Sequence, residues 1–428
     1  MLQTRALDMV NACGFFARAA QYIRRVGMLS RNAKLYLFAT ATQGLSLGIW
    51  SVIFYLYLNL NAIGFKPDFI SNIFTASTIA TGVIALPAGL FCERFGPKKA
   101  ILVSLTSNFL SFPLIILLEP SILLIASFVS GLIGTIGWVA GAPFMMENSE
   151  KEERTHLFSL NWALMIIMGV VGGYVGGVMP DAVNAFLGLP TGAEAGSPVG
   201  YRFTLLISVI LTLATVIPIL LIKEKKIERQ KTLALLSLKN IQNPRTIVKF
   251  MIPVGLVGFG AGFIVPLFNL FFKLKLAATT EQIGLISALG SVTLGIGTLA
   301  APVLSNKLGK VKSVALCEFL SIPFIMLITV APNLALAATA YVIRGALMNM
   351  AGPITTTLQM ELVSETERAT TSGFMVMADN IPRAITASIA GGMMTESDFF
   401  TPFLGTTITY VVASTLFYLF FRKAEKSS

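Results

Sequence analysis

Gly89-Leu-Phe-Cys-Glu93-Arg94-Phe-Gly96-Pro-Lys98-Lys99 joins two long apolar runs, and 213 residues later the chain reads Pro302-Val-Leu-Ser-Asn306-Lys307-Leu-Gly309-Lys-Val-Lys312. Arg94 and Lys307, Gly96 and Gly309, and Lys99 and Lys312 occupy matching places in the two stretches. Working outward, Asp68 and Glu281 keep the same spacing, each acid opening an apolar run where a helix N-terminus favours negative charge. Further on, Gly131 and Gly345, Met146 and Met360, Glu147 and Glu361, and Arg154 and Arg368 are 214 apart. One slipped residue in a fixed register is what a duplicated unit leaves behind. Duplication around a central loop points to a transporter with its site between two halves.

The repeated unit is a set of membrane spans. Of the 428 residues 55% are hydrophobic and 12% charged, with a mean hydropathy of +0.77; soluble domains carry about 25% charged residues. Runs of about twenty apolar residues recur, each long enough to cross the hydrocarbon core and too continuous for barrel strands. The expected fold is therefore an all-α membrane protein of twelve helices in two pseudo-symmetric six-helix bundles. The first set of spans runs Leu35–Asn61, Pro67–Cys92, Lys99–Leu118, Pro120–Met146, Leu157–Met179 and Tyr201–Ile222. The second runs Ile247–Phe272, Glu281–Ser305, Val311–Ala331, Leu334–Met360, Thr370–Met394 and Phe399–Phe421. This divides the chain into a basic N-terminal segment (1–34), a first bundle (35–222), a cytoplasmic linker (223–246) and a second bundle with a short basic tail (247–428). The N-terminal segment reads equally as an amphipathic helix on the inner leaflet or as an over-extended start, with Met28 the natural first residue.

The net charge of +11 is one of orientation. With both termini on one side, that side holds 26 of the 32 Lys and Arg residues. The other side holds four (Lys66, Arg202, Lys273, Lys275), and Arg344 and Arg383 lie inside spans. The bias predicts cytoplasmic termini in the cell membrane, and lipid rather than nucleic acid as the basic partner. Three scattered cysteines form no disulfide framework or metal site, and the single His156 is placed in a loop outside the spans.

The loop stretch resembles the major facilitator loop motif, Gly-x-x-x-Asp-Arg/Lys-x-Gly-x-Arg/Lys-Arg/Lys, with Glu93 standing for the acid and Gly89, Arg94, Gly96, Lys98 and Lys99 in register. The second copy has lost the leading glycine and the acid. Gly89 is expected to let helices approach closely and Gly96 to permit a tight turn. The resemblance, nearest to bacterial drug:proton antiporters, implies alternating access. It also implies that Glu147 and Arg154, and Glu361 and Arg368, pair with the loop motif to hold the cytoplasmic side shut. Gly172-Gly173-Tyr-Val-Gly176-Gly177 looks like the glycine-rich fifth-helix motif of antiporters, but Met168 replaces its first glycine and Gly173 its proline. Ordinary helix packing accounts for the same glycines.

Ionisable residues deep in a span cost about 2.5–3.5 kcal/mol each on insertion scales, which makes them functional candidates. Here they are Arg344, Asp379, Arg383 and Glu318. Asp379 and Arg383, four apart on one helix face, form either a self-neutralising packing pair or a proton switch in which Asp379 changes partners. Two arginines against one aspartate would also suit an anionic group unless Glu318 reaches the same cavity. Gln43, Trp50, Phe54, Tyr57 and Asn61 make one helical stripe. The resemblance would set that stripe beside Trp138, Phe263, Asn269 and Arg344, with Asn161 and Met165 extending it. Such side chains suit an amphipathic organic substrate. No nucleophile constellation, metal cluster or P-loop is present in the sequence, which excludes the common enzyme classes and ATP-driven transport by this chain alone. The expected function is proton-coupled efflux of small organic compounds by a monomer without cofactor, powered by the proton gradient. Uptake of an organic anion or sugar, and flipping of a lysolipid or glycolipid, are the alternatives.

Overall fold

A computed structural model describes residues 30–110, 114, 116–147, 151–192, 195–223, 244–363 and 368–423. The first bundle comprises α1 (Arg31–Leu58), α2 (Pro67–Phe95), α3 (Pro97–Leu105), α4 (Pro120–Glu147), α5 (Lys151–Phe186) and α6 (Pro198–Ala214, continued by Val216–Leu221). The second comprises α7 (Pro244–Ile264, then a 3-10 turn at Val265–Leu267 and a helical end at Phe268–Leu276) and α8 (Thr280–Leu308). It continues with α9 (Lys310–Val330), α10 (Leu334–Leu362), α11 (Arg368–Thr395) and α12 (Phe400–Phe421). Nine of the described segments are long and apolar enough by themselves to cross a membrane.

The duplication is visible in the packing. Within the first bundle α1 lies on α5 and α6, and α4 on α2 and α3. Six helices on, α7 lies on α11 and α12, and α10 on α8 and α9. The bundles touch through α2 with α11 and through α5 with α8, which are again exchanged by the same operation. Gly96 and Gly309, the repeated loop glycines, both adopt positive φ (96° and 84°), turning α2 into α3 and α8 into α9 within one residue. A side chain there would be strained, so the register glycine is a backbone requirement.

Element edges differ from the sequence reading in three places. The regular part of α3 ends at Leu105 and Thr106–Leu110 is 3-10, because Ser104, Thr106 and Ser107 each donate to a carbonyl three residues back and tighten the turn. Helix α5 starts at Lys151 and runs through Pro180 to Phe186, so His156 belongs to its first turns and not to a loop. Helix α1 ends at Leu58, which removes Asn61 from the stripe and leaves it exposed.

Three of the four cations assigned to the far side dock near helix ends. Lys273 donates to the carbonyl and the side-chain oxygen of Asn59, the C-cap of α1, at 2.9 Å each. Lys275 donates to Thr329 O in the last turn of α9, and Arg202 Nε donates to Tyr57 OH at 2.8 Å. Two of these cations thus meet carbonyls at the negative end of a helix.

Candidate functional site

Among the described residues, the hydrogen bonds that join the bundles gather at the end opposite the termini. Thr75 Oγ1 donates to Ala384 O (2.8 Å), Asp68 N donates to Thr395 Oγ1 (3.0 Å), and Ser388 Oγ donates to Asn72 Oδ1. Tyr201 OH and Thr280 Oγ1 lie 2.6 Å apart. Asn269 Nδ2 donates to Ser51 O and Val52 O at 3.1 and 3.3 Å. Close to this end α5 and α8 cross backbone on backbone: a Cβ at Gly177 would stand 2.8 Å from Gly284 Cα and 3.0 Å from Thr280 O.

The fifth-helix glycines serve two neighbours at once. Gly172 and Gly176 face α1, where an added Cβ would meet Leu45 O at 2.1 Å and Ile49 Cα at 3.1 Å. Gly177, one residue round the helix, faces α8 of the other bundle. Adjacent glycine pairs four residues apart are what a helix needs to approach two partners on adjoining faces.

The first bundle is hollow, from its terminus-bearing half past its middle toward the far end. Two adjoining cavities of about 290 and 310 Å³ open between α1, α3 and α4, the first reaching α5 and both reaching α6. Gln43 and Trp138 border both; Asn161, Trp162 and Met165 line one and Trp50 the other. Among the described residues no lining residue is charged. Trp138 is 67% exposed and projects into the opening. Trp50 stacks on Phe54 at 4.5 Å and 20°. Thr40 Oγ1 donates to Asn161 Oδ1 at 2.7 Å, which fixes that amide's orientation. All three tryptophans of the chain border these cavities.

The second-bundle candidates lie apart from the hollows, neither of which has a lining residue from that bundle. Arg344 is buried in the middle of α10, donating to Tyr410 OH of α12 at 3.1 Å, with its guanidinium 5.5 Å from the Phe268 ring centre. Its Nε is buried without an acceptor. Glu318 of α9, also buried, accepts from Ser414 Oγ at 2.7 Å. Asp379 and Arg383 pair at 2.6 Å along α11 and stay partly exposed. Asn269 ties the bundles, Phe263 packs edge-on against Phe259, and Tyr57 is fully buried against Arg202. Neither of the two hollows brings Arg344 beside Trp50 and Trp138.

At the loop motif, a Cβ on Gly89 would meet nothing within 4 Å, so this glycine makes no close helix approach in this structure. Lys98 Nζ caps the end of α6 on Leu220 O and Ile222 O (3.1 and 2.6 Å), and Arg94 and Lys99 are exposed. Glu361 pairs with Lys310 inside the second bundle. The side chains of Glu93, Glu147, Arg154 and Arg368 lie outside the described residues. Sequence reasoning missed Lys273, Gly284 and Trp162. Gly284 was signalled only by its spacing from the opening acid of α8, and Lys273 by being a cation at the end of an apolar run.

The family model for the Major Facilitator Superfamily matches residues 36–252 and 250–428. Among solved structures, the nucleoside transporter NupG is 15% identical with a TM-score of 0.71, covering 90% of this chain and 99% of its own. A bacterial homologue of the human lysosomal transporter Spinster, in an inward-facing and occupied conformation, is 11% identical with a TM-score of 0.69, covering 90% and 95%. A D-xylose–proton symporter is 16% identical with a TM-score of 0.66, covering 93% and 97%. No curated protein matches the sequence.

Proposed function

Because the chain belongs to the major facilitator superfamily, a family of transporters and not of enzymes, we propose that it exports small, uncharged amphipathic organic molecules in exchange for protons by alternating access. The observation that carries this reading is the hollow of tryptophan, methionine and amide side chains, without charge among its described lining residues. One of its two cavities lies toward the terminus-bearing end, opposite the hydrogen bonds that join the bundles. Such a site offers an aromatic substrate stacking faces and a few hydrogen bonds, and offers an ion nothing to pair with. The positive-inside bias supports a cytoplasmic terminus-bearing end, where cargo for export is collected. Binding there, closure over the substrate and release on the far side need only the two bundles to rock about the α2–α11 and α5–α8 crossings. The ionisable residues of the second bundle, Arg344, Glu318 and the Asp379–Arg383 pair, supply the coupling charges. One chain contains both bundles, so a monomer suffices.

The tryptophans make the test direct. Neutral aromatic amphiphiles, organic anions, sugars and lysolipids are titrated into the purified protein while its intrinsic fluorescence is followed. Quenching by the neutral amphiphiles that is lost in Trp138→Ala and kept in Trp138→Phe is expected. In vesicles with an imposed pH gradient the same compounds should move against their own gradients. Quenching by organic anions alone, or transport indifferent to the pH gradient, refutes the proposal.

A further inference from the structure

We propose that Glu318 is the group that takes up and releases the coupling proton, with Arg344 as the charge it answers to; this rests on the proton-coupled reading above. Glu318 sits near the middle of α9 with its side chain 8% exposed. Its single described partner is the hydroxyl of Ser414, and no cation lies within ion-pair distance of it among the described residues. A bare carboxylate so placed costs several kcal/mol, whereas the neutral acid is satisfied by one hydroxyl. Asp379 is in the opposite condition, already compensated by Arg383 and partly in contact with solvent.

The surroundings give the proton something to act on. Of the helices packed on α9, α8 carries titratable groups only near its ends (Glu281, Lys307), α10 brings Arg344 and Tyr341 and, at its last turn, Glu361 paired with Lys310, and α12 brings Tyr410 and Tyr418; on α9 itself Cys317 is the neighbour, with Lys310 and Lys312 two turns away at its start. Tyr410, which holds Arg344, and Ser414, which holds Glu318, are four residues apart on α12, so cation and carboxyl hang on successive turns of one face. They are not paired, and Arg344 Nε has no acceptor. A carboxyl without a cation beside a guanidinium without its full set of acceptors is the protonated arrangement. When the proton leaves to water, the new carboxylate draws Arg344 away from Tyr410. The Tyr410 ring lies hard against α7, where a Cβ on Gly260 would stand 2.8 Å from Cδ1. The far end of α7 carries Asn269 and Lys273, which tie the bundles together. Loss of the proton at Glu318 therefore loosens the closed end, the sense an exporter requires.

Full-length protein in proteoliposomes tests this by infrared difference spectroscopy over a pH step. The wild type should show the C=O stretch of a protonated carboxyl that disappears in Glu318→Gln, shifts in Ser414→Ala and persists in Asp379→Asn. Spin labels on cysteines replacing the exposed Ala185 and Glu281 report the separation of α5 and α8 at the closed end. Raising the pH should lengthen that distance in the wild type and leave it unchanged in Glu318→Gln, which mimics the protonated form and keeps the Ser414 bond. A band that survives Glu318→Gln or vanishes in Asp379→Asn overturns the assignment. So does a Glu318→Gln distance that follows pH as the wild type does. If the band belongs to Glu318 but wild-type distance and transport both ignore pH, the proton-coupled reading itself fails.

Discussion

Placing one methyl group at the α5–α8 crossing should tilt the balance between the two faces of the transporter. In Gly177→Ala the new Cβ stands 2.8 Å from Gly284 Cα, 3.0 Å from Thr280 O and 3.3 Å from Gly284 N. All three are backbone atoms and cannot swing aside. Ordinary contact begins at 3.4 Å, so the helices must part by about 0.6 Å, an overpacking that costs about 1–3 kcal/mol. Only the state closed at this end bears that cost, because in the other state α5 and α8 separate here. The closed-to-open ratio should therefore fall by about 5–150-fold. The Ala185/Glu281 spin-label pair reads the outcome as a new long-distance component. Gly176→Ala is the matched control: its Cβ meets Ile49 Cα and O, both at 3.1 Å, inside the same bundle. It should lower thermal stability without moving the distance distribution. If both substitutions leave the distances alone, or both shift them equally, the crossing is not the contact that closes the far end.

Lys273 is 2% exposed and holds both oxygens of Asn59 across the bundles. Lys273→Met removes charge-assisted bonds worth about 1.5–3 kcal/mol each in favourable cases and should lengthen the same spin-label distance; an unchanged distribution makes the lysine a bystander. Asp398, before α12, accepts from Thr401 through side chain and backbone and from the Phe400 backbone, bonds that hold its carboxyl below the usual carboxylate range. Its folded value lies below the unfolded value of about 3.9, so its stabilisation is present above that pH and is lost as pH falls through the folded value. Asp398→Asn should therefore lose less melting temperature than the wild type on acidification to about pH 3, and equal losses would show that the cap does not matter.

The duplication carried most of the architecture into the sequence. A fixed offset between Gly96 and Gly309, or Asp68 and Glu281, needs no knowledge of packing, and it located both tight turns and both helix starts. The faces of α1 were another matter. That helix is apolar nearly all round, so a stripe through Gln43, Trp50 and Tyr57 cannot tell a cavity wall from a buried contact. Trp50 borders the hollow, while Tyr57, seven residues on, is buried beside Arg202. Arg344 and Glu318 stood out because charge is rare inside a span, but which neighbour each meets depends on the rotation of α12, which no periodicity encodes. The α5 glycines were visible as a motif; that one pair serves the same bundle and Gly177 the other follows only once α1 and α8 are in place.

The interruption of α7 sets the order in which the far end can come apart. Up to Ile264 the helix is packed on α11 and α12, whereas Asn269 and Lys273, its ties to α1, both lie beyond the 3-10 turn. Pro266 in that turn has no N–H to give, so the rod is weakest at this level. The last two turns of α7 are thus a tether hinged to one bundle and fastened to the other. A roll of the glycine crossings would let this tether pivot with α1 while Lys273 still holds Asn59. Unlatching and rocking then act on different parts of α7, the one on the Lys273 bonds beyond the 3-10 turn and the other on the helix before it.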